Sequence, residues 1–155
     1  MNWKPYRYVS VFAILTVLCL GFIFGQSLKP AKASHAESDP IVAAVKPILD
    51  PHDQMTEKQA RFLVRKSAHL TEFAALGFCL AGFATALSKC RKQPLPFLAP
   101  FAALLAAVTD EYLQSFLDRT SKVEDVLIDF AGALIGILLM TLAVWIWTRR
   151  HKKTA

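Results

Sequence analysis

The stretch "AAVTDEYLQSFLDRTSKVEDVLIDFAGALIG", residues 106–136, decides the fold. It enters and leaves through residues suited to lipid, yet it carries Asp110, Glu111 and Gln114 on one arm and Asp125 and Asp129 on the other. The link between the arms is only about residues 118–121, with Ser121 and Glu124 spaced as a capping box at the start of the second. A connection that short joins antiparallel neighbours. The stretch therefore reads as a helical hairpin whose arms hold carboxyls at the end where they meet. On the second arm, Asp125, Asp129, Gly132 and Gly136 form one stripe at about 100° per residue. Gly132 and Gly136 have the Gly-x-x-x-Gly spacing that lets two membrane helices approach closely, so Asp129 should face a helix and not lipid.

The rest of the chain has the same character. Of its 155 residues, 54% are hydrophobic, which is too apolar for an ordinary soluble domain of this length. Four apolar segments, 8–25, 68–88, 96–117 and 125–147, are each about long enough to cross a bilayer as a helix. The expected fold is an all-α integral membrane bundle of four transmembrane helices, forming a single domain over residues 1–155. The first segment also has features of a signal peptide, a basic start and "AKA" at 31–33, but its long apolar run favours a retained helix. Cys19, Cys79 and Cys90 form neither a disulfide framework nor a zinc ligand set.

Charge gives the orientation. The net charge of +6 is distributed as membrane topology and not as a nucleic-acid surface, so no nucleic-acid partner is expected. Lys4, Arg7, the "KCRK" turn at 89–92 and the "RRHKK" tail at 149–153 contain no acid. All twelve Asp and Glu lie in the outer loops or outer halves of spans if the N-terminus is cytoplasmic. The positive-inside rule then places both termini in the cytoplasm. The outer loop, 26–67, should be partly helical. Asp39-Pro40 can start a short helix with an apolar "IVAAVKPIL" surface. Thr56 and Gln59 form a capping box from which a helix of about 32 residues, about 48 Å, can run into the second span.

Spans 2, 3 and 4 put their polar residues at the same outer end. Span 2 brings Arg65, Lys66, His69 and Glu72, of which Arg65, His69 and Glu72 fall within about 60° of one another. Span 3 brings Asp110, Glu111, Gln114, Asp118 and Arg119; span 4 brings Glu124, Asp125 and Asp129. An ionised carboxylate at membrane depth costs several kcal/mol unless paired or hydrated, which makes these residues functional candidates. Glu72 and Asp110, with Glu111 beside them, can do acid–base or ligand-holding work, and His69 can carry protons. Lys66 and Arg119 can hold a phosphate or carboxylate, with Gln114, Asp125 and Asp129 around them. The spacing selects no particular metal or cofactor. Glu72 can equally be an interfacial ion pair with Arg65 or Lys66, and Asp125 can serve the helix N-terminus.

These residues resemble the VanZ-like family of bacterial membrane proteins. "KSAHLTEFAALGF" carries its Lys-x-x-His-x-x-Glu set as Lys66, His69 and Glu72. The second block, in "DEYLQSFLDRTSKVEDVLIDFAGALIG", is carried by Asp110, Glu111, Gln114, Arg119, Asp125, Asp129 and Gly132. "SLKPAKASHAES" resembles the loop after the family's first span. Leu113 stands where many members have His, and "LDR" stands where many have Pro-Gly before the Arg. The resemblance implies a multi-pass protein of the bacterial cell membrane, associated with low-level resistance to teicoplanin, a lipid-tailed glycopeptide. It names no reaction.

Three readings follow: an outward polar site for an envelope or lipid-linked ligand; a non-enzymatic scaffold whose polar residues fix helix packing; and a small transporter. The transporter ranks last, because the inner halves of spans 2 to 4 are almost wholly apolar.

Overall fold

The computed structural model describes residues 4–52, 54–117 and 122–152, which form five helices and, among the described residues, no strand. Helix α1, Lys4–Ser27, covers the first apolar segment with extra residues at each end. Helix α2, Ala31–Leu49, lies in the connection to the next helix and is longer than the sequence suggests. It begins just after Pro30 and not at Asp39-Pro40, so Pro40 and Pro47 both lie inside it. An internal proline removes one backbone hydrogen bond, and two ion pairs brace this helix. Lys29 pairs with Glu37 at 2.6 Å, and Arg61 of the following helix holds Asp39 at 2.7 Å. Asp39 is thereby engaged by a side chain and does not cap a helix start. Val42 is the buried apolar residue of the "IVAAVKPIL" stretch, whereas Ile41, Ile48 and Leu49 are exposed.

Helix α3, Glu57–Arg91, is 35 residues long, about 52 Å at 1.5 Å per residue. It opens on the expected capping box. The Thr56 hydroxyl accepts from the Gln59 N–H, and the Thr56 N–H donates to Gln59 Oε1 at 2.9 Å. It closes at Lys92, whose left-handed backbone (φ 55°) turns the Gln93 N–H back to the Ser88 carbonyl at 3.3 Å. Helix α4, Leu98–Ser115, follows Pro94 and Pro96; Pro100 sits in its first turn, where an N–H has no helical acceptor anyway. Helix α5, Val123–Lys152, runs for 30 residues.

The long α3 is the hub and packs against all four other helices. Its partnership with α5 is parallel. Lys66 meets Asp125 near the start of both helices, and the Lys89 ammonium lies 5.9 Å from the Trp147 ring near the end of both. Between these points the backbones nearly touch. A Cβ on Gly132 would lie 2.4 Å from the Leu70 carbonyl oxygen, and one on Gly136 only 1.9 Å from that of Ala74. Gly77 makes the reciprocal approach: a Cβ there would lie 2.0 Å from the Ala133 carbonyl oxygen. The Gly-x-x-x-Gly stripe is therefore the seam of the fold.

Helix α1 runs antiparallel to α3: Phe12, early in α1, packs where Gly82, late in α3, leaves room. Helix α4 packs against α3, α5 and α1 and buries Ala99, Ala103, Ala106 and Ala107. Phe73, Leu76 and Leu80 of α3 and Ile23 of α1 complete the core. Outside this core the surface is lipid-like, with Val17, Leu18, Phe101, Leu138 and Leu139 exposed.

Helices α1, α3 and α5 are long and apolar enough to cross a membrane. At 18 residues α4 is shorter, about 27 Å, and Asp110, Glu111 and Gln114 occupy its last third. The chain is a membrane protein by these helices. One end of the bundle collects the end of α1, the starts of α3 and α5 and the end of α4, and the polar residues gather there.

Candidate functional site

Asp110 is the centre of the polar cluster and is 0% exposed. It is held from two sides. Ser27, in the last turn of α1, donates to its Oδ1 at 2.5 Å. Gln114, one turn further along α4, donates through Nε2 to Oδ2 at 2.8 Å. The four-residue spacing puts Asp110 and Gln114 on one face of α4, as the sequence indicates.

His69 of α3 faces this carboxylate from the next helix. Its Nδ1 is 3.9 Å from Asp110 Oδ2 and 3.6 Å from Asp129 Oδ1 on α5. Asp129 is 2% exposed, and its Oδ2 has no hydrogen-bond partner among the described residues. One donor atom from each of His69, Asp110 and Asp129 falls within a 4.8 Å set. Three helices thus converge on one small volume, with α1 supplying Ser27 behind it.

Around this centre the other candidates separate. Lys66, one turn before His69, forms an ion pair with Asp125, one turn before Asp129. Its ammonium also lies 5.4 Å from the Phe62 ring. Lys66 is therefore engaged with Asp125 and not with Glu72. Glu111 is buried and accepts from the Lys122 backbone N–H at 3.1 Å, tying the end of α4 to the approach to α5. Glu72 lies one turn below His69 and lines an apolar groove of about 400 Å³ between α1 and α3, with Leu15, Leu18 and Phe22 opposite. Arg119, Asp118 and Ser121 lie outside the described residues.

Ser27 is the residue that reading the sequence missed as a site member. Its signal was present: it is a polar side chain at the C-terminal end of an apolar span, the end of the bundle at which the acids collect. A serine at the end of a span is common, and nothing in its spacing points 83 residues ahead to Asp110.

Chemically, the centre offers two buried carboxylates, one imidazole, an amide and a hydroxyl. Asp129 is within electrostatic reach of Asp110, Glu111, Asp125 and the Lys66 ammonium among the described residues. Glu72 is within similar reach of Asp110.

Comparison with known proteins gives a family and no closer relative. No curated protein and no solved structure matches the chain significantly. The model of the VanZ/LLP1 family matches residues 12–145, a range that contains every residue of this cluster. The chain belongs to the VanZ/LLP1 family.

Proposed function

We propose that the chain is a four-span protein of the bacterial cell membrane whose outward polar cluster recognises or modifies an envelope or lipid-linked ligand, and that its presence lowers sensitivity to teicoplanin. The four-span topology draws its support from the parallel pairing of α3 and α5. Two helices that cross in the same direction need the chain to return between them, and α4 is the segment that does so. Its buried alanine face and about 27 Å length suit that path. The basic turn at 89–92 and the basic end of α5 lie together at the opposite end from the carboxyls, which supports a cytoplasmic location for that end and for both ends of the chain.

The observation that carries the functional reading is Asp129. Buried polar groups in a packing network find partners, since an unpaired one costs about 1–3 kcal/mol. Asp129 is almost fully buried, faces His69 and Asp110, and leaves Oδ2 without a hydrogen bond among the described residues. Such a group is kept for an occupant. The apolar groove ending at Glu72 adds a path for an acyl chain beside the polar centre, which suits a lipid-linked ligand.

The scaffold reading has one observation in its favour: both oxygens of Asp110 are satisfied, by Ser27 and Gln114. The two readings separate in one experiment. A sensitive bacterium would express the wild type, His69→Ala or Asp110→Asn, with teicoplanin susceptibility, membrane level and melting temperature measured for each. Protection by the wild type and none by well-folded variants is the expected result. Full protection by both variants would make the cluster dispensable, and melting lost without protection would return it to a packing role. No protection by the wild type would remove the resistance reading.

A further inference from the structure

We infer that His69, Asp110 and Asp129 form a binding site for one divalent transition-metal ion, of the Zn²⁺ or Mn²⁺ class. The inference rests on the preceding reading of this cluster as a site and names what it holds. Three residues from three helices present one ligand atom each within 4.8 Å of one another. Around a single ion with bonds of about 2.0–2.2 Å, ligand atoms lie about 3–3.5 Å apart. The His69 Nδ1 distances, 3.6 Å to Asp129 and 3.9 Å to Asp110, are already close to that spacing. Small side-chain rotations complete it.

The cluster of acids alone would carry nothing. The second observation is the 2% exposed Asp129, whose Oδ2 makes no hydrogen bond among the described residues while its Oδ1 faces the imidazole. Asp110 is prepared in a different way. The Ser27 hydroxyl and the Gln114 amide fix its orientation. A carboxylate offers about four lone-pair positions, so two accepted hydrogen bonds leave room for an ion. Outer partners of this kind orient metal-binding side chains and are worth about 10- to 100-fold in affinity. Lys66 does not compete for the centre, because Asp125 engages it.

Ligand type narrows the ion. Two carboxylates and one imidazole suit Zn²⁺ and Mn²⁺ better than the thiolate-seeking or all-oxygen cations. Three protein ligands also leave a coordination position open, where a phosphate or carboxylate of a ligand can bind.

The test uses the full chain purified in detergent, in a background with His35, His52 and His151 replaced by Gln to remove other imidazoles. Protein stripped with EDTA is reloaded with Zn²⁺ or Mn²⁺. The bound metal is counted by elemental analysis, the melting temperature is followed, and the Mn²⁺ form is read by pulsed electron paramagnetic resonance. The wild-type site should take up one ion per chain, melt higher when loaded, and show coupling of Mn²⁺ to a single imidazole nitrogen. Asp129→Asn should weaken binding by about 100-fold or more, above the loss expected for an outer partner. His69→Ala should abolish the nitrogen coupling. Stripped protein that binds no ion, bound Mn²⁺ without nitrogen coupling, or unchanged affinity in both variants would each overturn the inference. The spectrum of the wild-type site decides the matter even where a variant fails to fold. Metal binding without any effect on teicoplanin susceptibility would leave this site standing and remove the ligand reading; protection without metal binding would do the reverse.

Discussion

The Ser27 hydroxyl, at the end of α1, donates a 2.5 Å hydrogen bond to Asp110 near the end of α4, so the first helix is fastened to the carboxylate at the centre of the cluster. Both groups are buried, which sets the consequence of breaking the bond. Ser27→Ala leaves Asp110 Oδ1 unsatisfied, and an orphaned buried acceptor costs about 1–3 kcal/mol. The variant should unfold at lower denaturant in detergent by that amount. Asp110→Leu combined with Ser27→Ala should cost less than the sum of the two, because each removes the same bond. Strict additivity would show that the two residues do not act together.

The seam between α3 and α5 makes an equally direct prediction. Gly136→Ala places a methyl 1.9 Å from the Ala74 carbonyl oxygen, a backbone atom that cannot rotate away. The helices must separate, at about 1–3 kcal/mol for such overpacking. Gly132→Ala, with 2.4 Å to Leu70, should be destabilising by the same mechanism. Gly25→Ala meets nothing within 4 Å and should stay within about 0.5 kcal/mol of the wild type. Denaturant unfolding of the three variants checks the order. Equal stability of Gly136→Ala and Gly25→Ala would contradict the close packing.

Much of this is legible in the sequence alone. The stripe Asp125, Asp129, Gly132, Gly136 has helical spacing, and each member meets α3 in turn. Periodicity sufficed because a Gly-x-x-x-Gly face and a carboxylate in an apolar helix both point toward a neighbour. The capping box at Thr56 was legible because it is a local interaction. What sequence did not reveal was the choice among partners. The sequence offers Lys66 several acids, Glu72 among them, yet it pairs with Asp125 across the parallel seam. Only the register of α3 against α5 decides this, and register is a tertiary property. The early start of α2 was missed for a related reason: proline argues against a helix interior locally, while the pairs Lys29–Glu37 and Arg61–Asp39 act at longer range.

That cross-seam pair can be weighed. The Lys66 and Asp125 side chains are partly exposed, so solvent screens them and their coupling should be modest, about 1 kcal/mol. A double-mutant cycle with Lys66→Met and Asp125→Asn measures it. Either single change should cost more than the coupling alone, because it leaves the other charge half-buried and unpaired. A coupling indistinguishable from zero would mean that Gly132 and Gly136 set the register without help from the ion pair.

The path of α4 gives the last prediction. If α3 and α5 cross in the same direction and α4 returns between them, Gln54 before α3 and Lys122 before α5 lie on one side of the membrane, and Gln93 after α3 lies on the other. Single cysteines placed by Gln54→Cys, Lys122→Cys or Gln93→Cys, in a chain with Cys19, Cys79 and Cys90 replaced by Ala, report this directly. A membrane-impermeant maleimide added to intact cells should label the first two, and Gln93→Cys only after permeabilisation. Were α4 to lie in the interface without crossing, Gln93 and Lys122 would share a side and label alike. The parallel contacts from Lys66–Asp125 to Lys89–Trp147 would then need one of the two long helices to leave the bilayer, against its apolar length. The basic turn and the carboxyl cluster would also be forced onto one face. Opposite labelling at Gln93 and Lys122 is therefore the outcome expected under the four-span proposal.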